Sequence, residues 1–390
     1  MKKFNYILSC SGKFHYFEVA KILHERNQLT KIVCGYPWIK LKNEKIPKNL
    51  VGSHGIFTIL NYLYNKIGLD FDLFTDYLNK LNYINIDKIT SNHIDNYNEA
   101  DVLLGFAKVG LNSGKKMVRK NKTYICERAS AHITFQNNIL HEEYNEFTKK
   151  KFKINDWFID RELKEYEEAD IILVPSNFAK KTFDSSILNK VKVLEYGANT
   201  QNFFVNKDIT KSLKYFDILF IGNLSLQKGL HYLIEAFHNF KHPNKRLHIV
   251  GALTTDEDFF KDKLQHENII VYGHISQLKL NDIINKCHVF VLPSIQDGFA
   301  LTALQSISAG CPAIVSENTG IAELIKNNKC GFVVPIRNSS AIVDKLQLFV
   351  DDKDLLNECS LNGVNFAKNN TWSDYVTKLD SLIFKFKQNS

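Results

Sequence analysis

The amino-acid sequence predicts an α/β protein built from two doubly wound parallel sheets, one in each half of the chain. Short apolar runs bounded by Gly, Pro or Ser alternate with helical periods throughout, which is typical of βαβ units. With 390 residues, the chain is too long for one ordinary core. A polar segment without a clear period, residues 198–214, separates the halves. We therefore expect one domain over residues 1–200 and a second over residues 201–370.

Twelve apolar runs, rich in β-branched and aromatic residues, are typical of strands that are buried on both faces of a parallel sheet. Helical periods lie between them, for instance at Phe17, Ala20, Ile22 and Leu23 after the first run. In the first half the predicted strands cover residues 6–10, 31–35, 101–107, 123–128, 171–176 and 191–197. In the second half they cover residues 216–222, 246–252, 268–273, 288–294, 312–316 and 331–335. Each half therefore supplies enough strands for a sheet of its own.

Composition and charge limit the classes of function. The hydrophobic content of 44% is that of a globular protein, and the lack of any run of eighteen apolar residues argues against a membrane span. Seven scattered cysteines without a Cys-x-x-Cys pair predict a reducing, cytoplasmic location. Residues 1–200 contain 30 Lys and Arg against 23 Asp and Glu, whereas residues 201–390 contain 20 against 19. The basic first half is either a solvated surface or a surface for anionic lipid or an acidic substrate, and no nucleic-acid-binding motif is present.

Two strand ends in the second half carry side chains that could hold an anionic, polyhydroxylated ligand, because doubly wound sheets bind ligands at the carboxyl ends of their strands. Lys228 lies there at the start of a helix, where backbone N–H groups already favour a phosphate. Asp297 follows another strand in a turn that Gly298 allows, and Gln305 lies on the next helix, which begins around residues 300–302. Singly, Lys228 could be an exposed lysine and Asp297 a helix N-cap. Together they indicate a binding site.

The order of motifs resembles that of the family-4 retaining glycosyltransferases, which have the GT-B fold of two Rossmann-like domains with a cleft between them. In the second half the resemblance is carried by GNLSLQKGLHYLIEAF (222–237), LHIVG (247–251), VYGHIS (271–276), CHVFVLPS (287–294), DGFALTALQSISAGCP (297–312), GIAELI (320–325) and GFVVP (331–335). The first half is similar, less specifically, to a bacterial branch that builds surface polysaccharide. That likeness lies in residues 12–37 and in ERASAHITFQNNILHEEY (127–144).

The resemblance implies roles for residues of the second half. The two glutamates of the family signature correspond to Asp297, which would touch the donor sugar, and Gln305, which would bind the ribose. The phosphate-binding Arg and Lys of the family correspond to Asn223 and Lys228, so one cation is missing, and Arg128 of the first half could replace it. The full implied donor-binding set is Gly12, Gly222, Asn223, Lys228, Gly298, Phe299, Ala300, Leu301 and Gln305.

The first half is expected to supply a histidine and a glycine loop. Gly12 follows the first strand, where the glycine loop of the family lets the backbone approach donor and acceptor. Family members also place a histidine of this domain near the reacting sugar, and His132 corresponds to it. We therefore predict His132, Lys228 and Asp297 as catalytic. The alternatives are that His132 is a structural residue and that His15 lies at the cleft instead.

The implied reaction is the transfer of a sugar, of hexosyltransferase type, from a nucleotide-diphosphate sugar to an acceptor hydroxyl with retained anomeric configuration. We expect no metal and no other cofactor, because no Asp-x-Asp motif or histidine-rich cluster lies at a strand end. The acceptor would be a glycan or a lipid-linked glycan at the inner face of the cytoplasmic membrane. The alternatives are a sugar-nucleotide 2-epimerase of the same fold and a silent relative that acts as a partner protein.

The C-terminal segment, residues 371–390, has a helical period at Trp372, Tyr375, Leu379 and Ile383. The family analogy makes it a helix that crosses back onto the first domain. The alternative is a helix that lies on a membrane surface.

Overall fold

The computed structural model of the chain describes residues 3–66, 72–149, 151–252 and 256–389. These residues form two α/β domains, each organised around a parallel sheet with helices packed against it. The predicted fold class, two doubly wound parallel sheets, is confirmed.

The first sheet contains seven parallel strands in the order β3-β2-β1-β4-β5-β6-β7. They are β1 (Tyr6–Cys10), β2 (Leu29–Cys34), β3 (Val51–Ser53), β4 (Val102–Phe106), β5 (Thr123–Glu127), β6 (Ile171–Val174) and β7 (Val191–Val193). The chain order reverses between β1 and β4, so the first domain has its topological switch point there. Loops that follow these strands therefore border the place where such sheets bind ligands.

The second sheet contains six parallel strands in the order β10-β9-β8-β11-β12-β13. They are β8 (Phe216–Ile221), β9 (Lys245–Val250), β10 (Ile269–Gly273), β11 (Val289–Leu292), β12 (Ala313–Ser316) and β13 (Gly331–Val334). The switch point of this sheet lies between β8 and β11. Lys228 follows β8 and Asp297 follows β11, so the two side chains start from adjacent strands.

The helices of the first domain follow its strands. They are α1 (Tyr16–Glu25), α2 (Trp38–Leu41), α3 (Ile56–Lys66), α4 (Asp72–Asn96), α5 (Leu111–Arg119), α6 (Ile133–Phe147), α7 (Asp156–Glu168) and α8 (Asn177–Lys181), with a 3₁₀ turn at Lys48–Leu50. Those after β8 are α9 (Leu230–Asn239), α10 (Glu257–Phe260), α11 (Gln277–Lys286), α12 (Leu301–Ser308), α13 (Ala322–Asn327), α14 (Ser339–Asp351), α15 (Lys353–Lys368) and α16 (Trp372–Asn389), with a 3₁₀ turn at Leu226–Lys228. None of the helices in the described part of the chain has the length and apolar content needed to cross a bilayer.

Each of the twelve predicted runs overlaps a strand of the structure, and one strand, β3, lies outside them. This strand has three residues, Val51–Ser53, with a glycine at its centre, so it offers no apolar run to recognise. Several predicted runs extend past the C-terminal end of the strand that they overlap. The run at residues 191–197, for example, continues beyond β7 into the segment that leads to the second domain.

The C-terminal helix α16 packs on the first domain, alongside α1. The buried carboxylate of Asp380 accepts hydrogen bonds from Tyr6 Oη at 2.6 Å and from Gln28 Nε2 at 3.1 Å. The buried side chains of α16 include Trp372, Tyr375, Val376, Leu379 and Ile383. The apolar side of α16 is therefore covered by protein and is not presented to a membrane.

Candidate functional site

Asp297 lies in the turn between β11 and α12 of the second domain. Its backbone is fixed from both sides, because its N–H donates to Asn318 O at 3.0 Å and its carbonyl accepts from Gly320 N–H at 2.9 Å. Its Oδ1 accepts from the backbone N–H groups of Phe299 at 3.2 Å and Ala300 at 2.9 Å. Asp297 thus shapes the turn that leads into α12, and its second oxygen is directed to a different partner.

Lys228 supplies that partner. It ends the 3₁₀ turn that follows β8, and Gly229 after it has a φ of 67°. A Cβ on Gly229 would lie 1.9 Å from Pro293 O, so this close approach requires glycine. The Nζ atom of Lys228 lies 2.5 Å from Asp297 Oδ2, and the two side chains are 25% and 13% exposed. Lys228 and Asp297, which were predicted to share a site because each follows a strand of the second half, are therefore in direct contact.

The Lys228–Asp297 pair borders a cavity of about 340 Å³ between the two domains, which we call the inner lobe. The first domain contributes Phe14, His15, Phe106, Ala129 and Tyr196 to its lining, and the second contributes Ile221, Gly222, Lys228, Asp297, Phe299, Ala300, Leu301 and Thr302. Leu301 and Thr302 open the first turn of α12, whose N–H groups have no acceptors within the helix. The inner lobe thus combines an ammonium group with the positive end of a helix dipole.

A second cavity of about 550 Å³ adjoins the inner lobe, and we call it the outer lobe. The two lobes share Phe14, His15 and Leu301. Gln305, one helical turn after Leu301, lines the outer lobe, and so do charged side chains of the first domain that include Lys45. Asp297 and Gln305 therefore line adjoining lobes of one interdomain cleft.

The residues on either side of Asp297 are bound to the first domain. Gln296 Oε1 accepts a hydrogen bond from Ser130 Oγ at 2.7 Å. Ser176 Oγ donates to Gly298 O at 2.8 Å. The position of the Asp297 carboxylate therefore depends on the contact between the two domains as well as on its own turn.

The phosphate-binding pair implied by the resemblance is only partly present at the cavity. Gly222 and Lys228 line the inner lobe, whereas the exposed Asn223 lines neither lobe. Arg128 does not replace the missing cation, because its guanidinium donates to Ala131 O and pairs with Glu162 inside the first domain. Of the Lys and Arg side chains in the described ranges, Lys228 is the one that lines the inner lobe.

His132 lines neither lobe. It is the N-cap of α6, where its Nδ1 accepts the N–H of Thr134 at 3.3 Å, and its ring packs against Tyr166 and Phe183. Burial lowers the pKa of His132, which favours the neutral ring that can accept this hydrogen bond. The structure thus places His132 at a structural position, away from the cleft position that the resemblance implies.

His15, the alternative histidine, lines both lobes of the cleft. Its Nε2 lies 2.7 Å from Glu127 Oε1, and the same oxygen accepts from Tyr196 Oη at 2.7 Å. The His15 ring stacks on Trp372, with 5.6 Å between ring centroids and an interplanar angle of 6°. Glu127 is not among the predicted site residues, although its place at the carboxyl end of β5 is a signal that the sequence offers.

Gly12 lies in the same loop as His15 and lines neither lobe. A Cβ on Gly12 would lie 2.8 Å from the ring of Phe14, which stacks on Phe106 with 4.8 Å between centroids. The loop after β1 therefore reaches the cleft through Phe14 and His15, and Gly12 leaves room for the Phe14 ring.

The described residues include no grouping of three or more His, Cys, Asp or Glu side chains that could hold a metal ion. Metal independence remains a prediction from the sequence. The polar groups at the cleft are suited to an anion at Lys228 and to hydroxyl groups near Asp297 and Gln305.

Comparisons with known proteins agree with this geometry for the second domain. The family model described as glycosyl transferases group 1 matches residues 202–366, which include Lys228, Asp297 and Gln305. The capsular polysaccharide biosynthesis glycosyltransferase CapM of Staphylococcus aureus is 25% identical over 262 residues, which cover 62% of this chain and 68% of CapM. An uncharacterized glycosyltransferase of Methanocaldococcus jannaschii is 28% identical over 199 residues, which cover 46% of this chain and 50% of that protein. The second domain is therefore similar to group 1 glycosyltransferases.

Solved structures show the fold of the whole chain. Sucrose-phosphate synthase from Thermosynechococcus elongatus superposes with a TM-score of 0.71 at 13% identity, covering 100% of both chains. HepE of Anabaena, in complex with UDP and glucose, superposes with a TM-score of 0.68 at 13% identity, covering 98% of this chain and 100% of HepE. The architecture is the GT-B fold.

Proposed function

We propose that this chain is a retaining glycosyltransferase that moves a sugar from a nucleotide-diphosphate sugar to an acceptor hydroxyl. The observation that carries the proposal is the meeting of Lys228 and Asp297 in an interdomain cavity at the N-terminus of α12. The match of residues 202–366 to group 1 glycosyltransferases supports it. So does the UDP complex of HepE, a protein with the same fold.

The donor diphosphate would bind at Lys228 and the first N–H groups of α12. An ammonium group has three N–H donors, so Lys228 can keep its bond to Asp297 while it donates to a phosphate oxygen. Negative charge grows on the diphosphate as the bond to the sugar breaks. The fixed positive groups would therefore stabilise the transition state more than the bound donor.

The sugar would lie beside Asp297 and the ribose beside Gln305. The Asp297 carboxylate accepts two backbone N–H groups on Oδ1 and Lys228 on Oδ2, and an ionised carboxylate has about four acceptor sites in all. One site therefore stays available for a sugar hydroxyl. The amide of Gln305 in the outer lobe has both donors and an acceptor for a ribose diol.

The acceptor hydroxyl would attack the anomeric carbon from the face that the diphosphate leaves. The new bond joins the acceptor oxygen to that carbon, the bond from the carbon to the phosphate oxygen breaks, and the departing phosphate oxygen takes the acceptor proton. No metal and no protein base is needed in this scheme. We propose a surface polysaccharide or glycolipid as the acceptor, which the similarity to CapM and the basic first half support.

A panel of UDP-, GDP- and dTDP-sugars tests the proposal. Slow donor hydrolysis with release of the nucleotide is expected, and in an acceptor reaction the product should keep the anomeric configuration of the donor by NMR. Interconversion of donor sugars without release would instead identify a 2-epimerase. Failure to bind any nucleotide would identify a silent relative.

Lys228→Ala is expected to lower the rate of nucleotide release about a hundredfold, the usual effect of removing one charge-stabilising contact. Its matched control is Lys192→Ala, which removes an exposed lysine of the first domain. Both variants should keep the thermal unfolding midpoint of the wild type to within a few degrees. A wild-type rate in Lys228→Ala would refute the phosphate site.

A further inference from the structure

Helix α3 of the first domain carries its apolar stripe on the outside of the protein. Ile56, Ile59, Leu60 and Leu63 recur at helical spacing and are 62%, 44%, 45% and 48% exposed. Tyr62, beside them, is 66% exposed. An ordinary surface helix buries such a stripe against the core, so α3 has the opposite orientation.

Polar side chains fix that orientation. Thr58 Oγ1 donates to Gly35 O, and Asn61 Nδ2 donates to Asn79 Oδ1 of α4 at 3.2 Å. These bonds hold the polar side of α3 against the protein. The outward direction of the apolar stripe is thus built into the packing of the helix.

Neighbouring elements extend the apolar area. A groove of about 430 Å³ between α2 and the start of α3 is lined by Trp38, Val51, Ile56 and Ile59 among others. On α4, the ring of Phe74 lies 4.5 Å from that of Tyr64 of α3. We define the α3 face as the exposed residues Ile39, Ile56, Ile59, Leu60, Tyr62, Leu63, Phe74 and Tyr77. An apolar area of this extent marks an interaction surface.

Positive charge lies on the α2 side of the α3 face. Residues 36–66 contain five lysines and a single acidic residue, Glu44, whereas the start of α4 adds Asp72 and Asp76 against Lys80. Glu44 is buried and pairs with Lys13 and Lys21, so it does not offset the others. The lysines at positions 40, 42, 45 and 48 are exposed, and Lys45 also lines the outer lobe of the cleft.

We propose that the α3 face docks this protein on an anionic lipid bilayer, with α3 lying in the plane of the membrane. Outward apolar side chains would enter the region between headgroups and acyl chains, and the lysines would bind anionic headgroups. Lys48 lines the groove beside Ile56, and Lys45, three residues earlier, lines the outer lobe, so a lipid-linked acceptor would enter the outer lobe from the membrane side. This last step rests on the proposed function, whereas the docking itself does not.

Co-sedimentation of the full chain with lipid vesicles tests the docking. The wild type should bind vesicles of phosphatidylcholine with phosphatidylglycerol, bind phosphatidylcholine alone more weakly, and be released by added salt. The pair Ile59→Asn and Leu63→Asn should weaken binding at least about tenfold. The matched control is Leu348→Asn with Leu361→Asn, since these two leucines are 41% and 61% exposed in the second domain.

Wild-type binding in the Ile59→Asn/Leu63→Asn protein, or no binding of the wild type to anionic vesicles, would overturn the proposal. The proposal would also be overturned if the wild type were a dimer in solution and this variant a monomer, because a second copy would then cover the α3 face. Nucleotide release without vesicles should be equal in the variant and the wild type. If neither protein releases nucleotide, the proposed glycosyl transfer is contradicted, whereas the vesicle-binding comparison still tests the docking.

Discussion

His15 is the titratable side chain that the two lobes of the cleft have in common. Its ring is held by Glu127 on one edge and by Trp372 on one face, so its orientation is fixed before any ligand binds. A side chain fixed in this way can contact a substrate hydroxyl without losing rotamer freedom. His132 is equally well held, but by contacts that serve the start of α6.

We expect the two histidines to differ when each is replaced by alanine. His15→Ala should lower the transfer rate per folded molecule by about tenfold to a hundredfold, because a positioned contact in the cleft is lost. His132→Ala should leave that rate unchanged and lower the free energy of unfolding by about 1 kcal/mol, the typical effect of losing an N-cap. Rates normalised to the folded fraction, with urea unfolding of both variants, check this. A large rate loss in His132→Ala alone would restore the role that the resemblance implies.

The positions of these histidines show which part of the site was accessible from sequence. Lys228 and Asp297 follow strands that are adjacent at a switch point, so the strand-end rule was enough to bring them together. His15 and His132 lie in loops of the first domain, and their positions depend on loop conformation. Phe14, next to His15, has a φ of 31°, a left-handed conformation that no sequence pattern predicts for phenylalanine.

At the scale of elements, β8 and β11 are joined near their N-terminal ends by backbone and side-chain hydrogen bonds between Asp217 and His288. His288, just before β11, donates its N–H to Asp217 O at 2.8 Å, and its Nδ1 accepts the N–H of Asp217 at 3.0 Å. Burial, together with Lys211, lowers the pKa of His288 to about 4. The neutral ring is therefore part of how the second sheet is joined across its switch point.

This arrangement predicts a loss of stability in acid. The pKa of His288 in the folded protein lies below the unfolded value of about 6.5, so the unfolded chain takes up the proton first as the pH falls. The stabilisation is complete above pH 6.5 and is lost between about pH 6.5 and 4, by up to about 3 kcal/mol. His288→Asn keeps an acceptor without titrating, and its free energy of unfolding should fall less over this range. Urea unfolding at pH 7 and pH 4 measures the difference, and parallel losses in both proteins would contradict it.

Elements differed in how well the sequence predicted them. The buried strands were recognisable because their apolar runs are continuous, as strands covered on both faces require. Helix α4 (Asp72–Asn96) is the opposite case, since it contacts β1, β2, α3 and α5 at once. Its buried side includes the polar residues Asn82, Asp87 and Thr90, while Phe74, Tyr77 and Ile84 are exposed. The apolar residues of this segment therefore do not mark the buried side of the helix.

At the scale of the whole molecule, two sets of polar contacts hold the domains together. Near the cleft, Gln296 and Gly298 bind the first domain on both sides of Asp297. Farther away, buried Glu143 of α6 lies 2.8 Å from His231 Nε2 and accepts from Arg337 Nε at 2.7 Å. Burial raises the pKa of Glu143, but the bonds from His231 and Arg337 outweigh it and hold the pKa below its usual range. Such pairs between distant segments leave no signal in a single sequence.

Gly298→Ala is expected to separate the domains at the cleft. A Cβ there would lie 2.1 Å from Ala129 O and 2.5 Å from Ser130 Cα, both in the first domain, so the domains must move apart to accept it. Because Asp297 is displaced, the rate of donor turnover should fall by about tenfold or more. Small-angle X-ray scattering of the variant should show a larger radius of gyration than that of the wild type. The control is Gly52→Ala, since a Cβ on Gly52 comes no closer than 3.4 Å to its neighbours. Equal turnover in both variants would show that the Gly298 contact is dispensable.

The docking of α16 on the first domain has a consequence for how the chain is made. Tyr6 and Gln28, in or next to the first two strands, find their buried carboxylate partner at residue 380. A ribosome must therefore translate the entire second domain before the first can close its core. Until then the nascent polypeptide exposes an incomplete hydrophobic layer beside β1, and this waiting period is when chaperones would be most needed.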